Sequence, residues 1–277
     1  MANKIAFQGE LGAYSHEACM LARPNHMPIP CPTFEDVINT VRSGSAEFAM
    51  LPVENTTYGR VADIHRLLPK SGLFINDEVF VRVHINLLAL PGVKLSDIKV
   101  ARGHLVILPQ CKTFLKANNI RSETAADNAG AAADIVTSNE RDAAALASEL
   151  AGQIYGLNIL QKNVEDQLHN TTRFLIMSAK DKPERRSEAM LTSFVFQVRN
   201  IPAALYKAMG GFATNGINMT KLESYMVDGK FTATQFYADI EGHPDDPGVQ
   251  LAFEELSFFT DMFHILGTYP SSDTRPT

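Results

Sequence analysis

The sequence predicts an α/β protein in two parts, a first with two lobes around a central cleft and a second of order βαββαβ. Three observations carry this reading. Short apolar runs alternate with helical patterns through about the first 160 of the 277 residues, and such alternation builds a mostly parallel sheet with helices on its faces. The charged stretch 180–188, with one proline, breaks the pattern as a linker does. Beyond it the periodicity becomes strand, helix, two strands, helix, strand, the ferredoxin-like arrangement. The boundaries that follow are 1–180 for the first part, crossing between lobes near residues 80 and 160, then 181–189 for the linker and 190–277 for the second part.

Each element has a local cause. Residues 4–8 read as a strand, and the glycine-bearing turn 9–12 feeds a helix to about residue 23. Thr33 caps a second helix whose first turn holds Glu35 and Asp36, which suits the unpaired N–H groups there. Gly44 ends that helix. Residues 47–53 are strand-like, 80–90 form one long apolar run, and 127–138 are alanine-rich and helical. The run 143–147 fits a buried strand or a continuing helix, and periodicity does not separate the two. After the linker, 191–198 alternates as a strand, and 202–213 is helical with Pro202 in its first turn. Residues 218–227 and 231–240 are strands joined by Asp228-Gly229, a hairpin signal. Residues 247–259 form a helix and 263–269 a last strand, and the polar tail from Pro270 is expected to fray.

Composition narrows the class. With 45% hydrophobic and 20% charged residues the chain is an ordinary globular protein, which sets aside disordered and coiled-coil readings. A net charge of −6 leaves no basic stripe for a nucleic-acid partner. No apolar run approaches the roughly 18 residues of a membrane span. Residues 1–4 have no signal-peptide core, and no second enzymatic segment is expected before Lys4. Cys19, Cys31 and Cys111 are scattered and odd in number, which suits a reducing, cytoplasmic setting better than a disulfide framework. No Cys-x-x-Cys or His-x-x-x-His spacing points to zinc, and no metal or other cofactor is expected.

Ligands of open α/β sheets bind on loops beyond the carboxyl ends of strands. Asn170-Thr171-Thr172-Arg173-Phe174 leads into a strand-like run. An arginine there suits a carboxylate through two parallel hydrogen bonds, with a hydroxyl beside it. A solvated strand edge fits the same pattern. Glu54-Asn55-Thr56 ends another strand; it suits substrate orientation or a proton relay, and equally an Asx turn. The segment from Gly9 to Ser15 has free N–H groups that attract anions, or holds Ser15 as a helix cap; its Gly-x-x-Gly spacing is too short for a dinucleotide fingerprint. His104 is a titratable candidate or a structural histidine, and Cys111 reads as core.

Taken together, Phe7-Gln8-Gly9 through Ser15, Pro52-Val53-Glu54-Asn55-Thr56 with Gly59, Gln110-Cys111, and Asn170-Thr171-Thr172-Arg173-Phe174 resemble the prephenate dehydratase family along nearly the whole chain. The segment after the linker is similar to an ACT domain. The resemblance implies a periplasmic-binding-protein-like catalytic domain with a central cleft, followed by a ferredoxin-like ACT domain. It implies conversion of prephenate to phenylpyruvate, carbon dioxide and water in phenylalanine biosynthesis, without cofactor. It makes Thr172 the hydroxyl that assists the leaving oxygen; the proton then arrives through another group or water, with Glu54 as a candidate and His104 as a weaker one. Arg173 then holds the side-chain carboxylate, and Asn170, Thr171, Ser15, Asn55, Thr56 and Phe174 complete the substrate site.

The resemblance further implies L-phenylalanine as effector, bound by Ala204, Leu205, Asn218, Met219, Glu223 and Ser224, in a homodimer or homotetramer joined through the ACT domain. Ala203-Ala204-Leu205 stands where the family has Gly-Ala-Leu, and Tyr225-Met226 follows Glu223-Ser224 where the family has Arg-Pro. His104-Leu105-Val106-Ile107-Leu108 likewise replaces the family's His-Pro-Gln-Ala-Leu. Two other readings remain: arogenate dehydration at the same site, which an added acidic contact would favour, and a non-catalytic regulator, which would need the arginine but not the Thr172 hydroxyl.

Overall fold

The computed structural model describes residues 3–167, 169–181, 189–226 and 233–275. The chain forms two compact units, one of Met1–Val61 with Val79–Phe174, the other of Ala62–Glu78 with Leu175–Thr277. The second unit therefore takes in an early segment that the sequence assigns to the first part.

In the first unit, β1 (Lys4–Gln8) lies between parallel β2 (Met27–Cys31) and β3 (Phe48–Asn55). Ile5, Ala6 and Phe7 are fully buried, which is why this run is a strand at the sheet's centre. β2 carries Pro28 and Pro30, which have no N–H for a ladder, and it takes the sheet edge. The connections are α1 (Tyr14–Ala22) and α2 (Phe34–Arg42). Thr33 caps α2 by accepting from the Asp36 N–H at 3.1 Å. Ser15 does not cap α1; Ala13 holds that position, and Ser15 falls within the first turn.

The two-residue β4 (Gly59–Arg60) folds back on the end of β3, and α3 (Ala62–Leu67) follows. The sheet closes with β5 (Phe74–Arg82) and β11 (Thr171–Ser178), in the order β2-β1-β3-β11-β5. The apolar run 80–90 is not one strand. It breaks after Arg82, and β6 (Asn86–Ala89) resumes in a second sheet.

That second sheet has the order β10-β6-β9-β7-β8. Its remaining strands are β7 (Val100–His104), β8 (Arg121–Ala125), β9 (Ala143–Ala147) and β10 (Asn158–Gln161), connected through α4 (Lys112–Ala117), α5 (Asn128–Ser138) and α6 (Glu149–Tyr155). β7 runs parallel to β8 and β9, but β6 is antiparallel to both β9 and β10. The sheets are thus mixed, not mostly parallel, because β6 and β10 adjoin the crossing segments and lie outside the βα units. The run 143–147 is a strand with every residue fully buried. Ala129 and Ala132 of α5 are equally buried, and small side chains there allow close helix–sheet packing.

The second unit contains β12 (Met190–Val198), α7 (Ala204–Thr214), β13 (Met219–Met226), β14 (Ala233–Glu241), α8 (Pro247–Ser257) and β15 (Thr260–Pro270), the predicted βαββαβ order, with sheet order β13-β14-β12-β15. Phe194 anchors its core, with ring contacts to Phe196, Phe212, Phe253 and Phe263. Gly267 explains why the early segment belongs here: a Cβ at that position would collide with the Ile75 backbone, so only glycine lets the two chains approach. The tail does not fray through residue 275. Arg275 grips the buried Glu78 carboxylate at 3.0 and 3.1 Å, and the Ser272 N–H adds a third bond at 3.1 Å. Residues 182–188 of the predicted linker and the predicted Asp228-Gly229 turn lie outside the described residues. Among the described residues no helix is long and apolar enough to cross a membrane.

Candidate active site

The end of β3 and the start of β11 are tied together by backbone and hydroxyl bonds. The Thr56 N–H donates to Thr171 O at 2.9 Å, the Thr171 N–H to Thr56 Oγ1 at 2.9 Å, and the Thr56 hydroxyl to His169 O at 2.5 Å. Thr56 and Thr171 are therefore joining residues, and neither lines the neighbouring cavity.

That cavity, of about 360 Å³, lies within the first unit, at the small end of ligand pockets and suited to a single-ring molecule. Asn55, Arg60 and Thr172 line it from the first sheet's side, and His104, Gln110 and Asn128 from the second's. Thr172, Asn55, Asn170 and the weaker candidate His104 are the residues singled out from sequence that reach it. Arg60, Gln110, Asn128, Tyr14 and Tyr58 are additions that the sequence reading did not place in the site. For Asn128 a signal existed: it is the first residue of a helix that directly follows a strand's carboxyl end.

Four side chains form a directional chain of hydrogen bonds. Asn55 Oδ1 accepts from the N–H groups of Thr57 (2.8 Å) and Tyr58 (3.0 Å), which is the predicted Asx turn and fixes which end of the amide is which. Its Nδ2 then donates to Thr172 Oγ1 at 2.9 Å and to Asn170 Oδ1 at 2.6 Å. Asn170 Nδ2 donates to Gln110 Oε1 at 2.5 Å, and Gln110 Nε2 to the Val106 carbonyl at 3.0 Å. Backbone donors fix one end and a backbone acceptor the other, so every link has one polarity. The Thr172 oxygen already accepts a bond from Asn55, which leaves its proton to donate elsewhere.

Arg173 behaves differently from the expectation. Successive strand residues face opposite sides, so Arg173 points away from Thr172's side. Its side chain is only 1% exposed and donates from Nη1 to Glu54 Oε1 at 2.8 Å. Neither Arg173 nor Glu54 lines the cavity. Glu54 neutralises a buried guanidinium, which would be strongly destabilising without a partner; it is not placed as a proton donor to the cleft. Phe174 is 2% exposed and belongs to the core, and Ser15 does not line the cavity.

The remaining polar groups have defined states. The Tyr14 hydroxyl donates to His84 O at 2.8 Å, and burial holds its ionisation well above the ordinary phenol range. The His104 N–H donates to Asn128 Oδ1 at 2.7 Å, and His104 Nδ1 accepts from the Val106 N–H at 3.3 Å, so in the neutral ring Nε2 carries the proton. Burial pushes the Cys111 thiol up to about 12, so it is no thiolate nucleophile. Among the described residues, no group of three or more His, Cys, Asp or Glu is placed to hold a metal.

In the second unit, Ala204 and Leu205 open α7 while Asn218 and Met219 follow its far end. α7 is eleven residues long, about 16 Å at 1.5 Å per residue, and lies between the two pairs in the chain. Ser224 is exposed on β13, an edge strand, and Glu223 pairs with Lys221 at 3.4 Å.

The family model for prephenate dehydratase matches residues 5–182. The chain belongs to the prephenate dehydratase family. A relative from Komagataeibacter europaeus, named bifunctional N-acyl-homoserine lactone acylase/prephenate dehydratase, is 47% identical over 98% of this chain and 97% of its own. Arogenate dehydratase/prephenate dehydratase 1 of Arabidopsis thaliana, a chloroplastic protein, is 37% identical over 98% of this chain and 73% of its own. Among solved structures, a prephenate dehydratase from Arthrobacter aurescens in complex with L-Phe has a TM-score of 0.89 and 28% identity, covering 99% of this chain and 92% of that one. The family match thus covers residues 5–182, and the relatives nearly the whole chain.

Proposed function

We propose that this chain converts prephenate to phenylpyruvate, carbon dioxide and water in the cleft described above, with Thr172 as the group that assists the leaving oxygen. The observation that carries the reading is the bond from Asn55 Nδ2 to Thr172 Oγ1 at 2.9 Å, which occupies the hydroxyl's oxygen and directs its proton away from the amide. In the reaction the bond between the ring and its carboxylate breaks. The electron pair moves through the ring, which becomes aromatic, and the carbon–oxygen bond at the opposite ring position breaks. The departing oxygen gathers negative charge as that bond lengthens, and a fixed donor stabilises it there more than in the ground state.

A threonine hydroxyl is too weak an acid to be the final proton source, and the neutral His104 ring is no stronger; the departing oxygen takes its proton from solvent, with His104 Nε2 on the cavity wall as a hydrogen-bond donor. Arg60 is the arginine that lines the cavity and is our choice for the side-chain carboxylate, in place of Arg173. Arg173 with Glu54 acts as a positioning pair behind the strand end. The ring carboxylate must lose its charge, so strong cationic contact with it would hinder the step.

Regulation by L-phenylalanine at the second unit is part of the proposal. It is supported by the relative whose structure is a complex with L-Phe, and by the βαββαβ order. The placing of Ala204 and Leu205 at the start of α7 and of the other four beyond its end, on and next to the edge strand β13, fits a site completed by a second copy, hence a dimer or a larger assembly. Phenylpyruvate formation from prephenate, with and without phenylalanine, tests the whole reading. Thr172→Ala is expected to lower kcat by on the order of 10² with little change in KM, and Thr172→Ser to recover part of it. Equal loss in kcat and in affinity would reduce Thr172 to a binding group.

A further inference from the structure

We infer that the cleft selects the keto acid, prephenate, and rejects its amino counterpart, arogenate, because its lining carries a cation and no carboxylate and leaves the Asn128 amide N–H groups unengaged, and that Asn128 is the position controlling this choice. The inference rests on the function proposed above and deepens it.

The two substrates differ at one group. Prephenate has a carbonyl oxygen beside its side-chain carboxylate, which accepts hydrogen bonds. Arogenate has an ammonium there, which carries three donors and no acceptor. Four amides line the cavity, and each oxygen already accepts a bond from the protein. Asn55 Oδ1 takes two backbone N–H groups, Asn170 Oδ1 takes Asn55, Gln110 Oε1 takes Asn170, and Asn128 Oδ1 takes the His104 N–H. The Asn55 oxygen is filled, while the other three each keep one lone pair, set against four unengaged hydrogens on the same amides. Asn128 Nδ2 makes no hydrogen bond to a described residue, and Asn170 and Gln110 each keep one hydrogen beyond the relay. The Thr172 hydroxyl and His104 Nε2 are donors as well.

Charge points the same way. Among the described residues lining the cavity there is an arginine, Arg60, and no aspartate or glutamate. The carboxylates closest in sequence to the wall are engaged outside the lining: Glu54 with Arg173, and Asp127 with the Gly130 N–H at 2.8 Å as the α5 cap. An ammonium brought into this cleft exchanges water for a wall with a like charge and no carboxylate to pair it, and a site that leaves such a group unpaired discriminates strongly. A carbonyl oxygen in the same place gains bonds.

Asn128 is where this can be reversed without disturbing the fold. It is the first residue of α5 and half-buried, and an acidic side chain there suits a helix N-terminus. In Asn128→Asp one carboxylate oxygen keeps the bond from the His104 N–H, while the other replaces the unengaged Nδ2 and offers an acceptor and a negative charge.

The test is kcat/KM for both substrates with one preparation of the full chain, wild type and Asn128→Asp, with thermal melts to confirm folding. The wild type is expected to favour prephenate by on the order of 10² or more. Asn128→Asp is expected to shift the arogenate-to-prephenate ratio at least about tenfold toward arogenate, mainly through KM. Equal use of both substrates by the wild type, or a ratio unchanged in a folded Asn128→Asp variant, overturns the inference while leaving the proposed function in place. Turnover of neither substrate overturns the proposed function and this inference with it.

Discussion

Asn55→Asp reverses the polarity of the relay at the link that touches Thr172, the proposed donor to the leaving oxygen. The substitution is isosteric, and the retained Oδ1 still accepts the Thr57 and Tyr58 N–H groups at 2.8 and 3.0 Å, so the turn after β3 stays closed. The other oxygen replaces Nδ2 and sits 2.9 Å from Thr172 Oγ1 and 2.6 Å from Asn170 Oδ1. It cannot donate, so the Thr172 hydroxyl turns to donate to it. A hydrogen bond to a charged acceptor contributes about 1.5–3 kcal/mol, and Thr172 must break it before serving the substrate. At about 1.4 kcal/mol per factor of ten, kcat should fall by ~10- to 100-fold. Steady-state phenylpyruvate formation by Asn55→Asp, Thr172→Val and the double variant measures this. The double variant should be no slower than Thr172→Val alone, because the hydroxyl through which Asn55 acts is gone. The reasoning fails if Asn55→Asp keeps kcat within threefold of wild type, or if the two losses simply multiply.

Two further predictions concern stability. Burial raises the Glu17 carboxyl from its ordinary 4.5 to about 7. The folded state then binds the proton more tightly than the unfolded one, so stability falls as pH rises from about 4.5 to 7 and levels off above, by at most about 3 kcal/mol. Glu17→Gln stays neutral and should lose less between pH 5 and pH 8 in thermal melts; equal losses in both proteins would contradict this. Ala203 adopts φ +61° at the start of α7, a conformation that costs an L-residue about 1–2 kcal/mol. Ala203→Gly should raise the urea midpoint by the equivalent of about 0.5–1 kcal/mol after the larger unfolded-state entropy of glycine is counted, and a lower midpoint would refute the argument.

The parts of the fold written in local chemistry were legible. Thr33 with its acidic first turn gave α2, Asp127 opened α5, and the strand periods after residue 190 gave the βαββαβ order. What sequence could not supply depends on distant partners. The tail is ordered because Arg275 meets Glu78 across 197 positions of chain, and β2 exists despite two prolines because β1 offers it an edge. The candidate site divides the same way. Asn55, Asn170 and Thr172 were readable as polar residues at strand ends, but Arg60, Gln110 and Asn128 reach the cavity from three other segments. The strand period of two carries the rest, since it sets the neighbours Thr172 and Arg173 on opposite faces.

That alternation has a consequence for how the strand end works. Thr172 and Arg173 are adjacent yet serve different sides: one hydroxyl reaches the cleft while the guanidinium is buried behind it against Glu54. Glu54 and Asn55, the neighbouring pair on β3, divide in the same way, Glu54 holding Arg173 and Asn55 holding Thr172. The hidden ion pair thus fixes the two strands' register at the point where the exposed pair must meet within hydrogen-bonding distance. Moving one strand by one residue would exchange that strand's faces alone, setting Glu54 against Thr172 or Arg173 against Asn55 and breaking both pairs. The amide relay extends the same control to the second sheet, because Gln110 closes the chain on Val106 from that side. The Thr172 proton is therefore aimed only when both walls of the cleft stand at the separation that lets Asn170 reach Gln110.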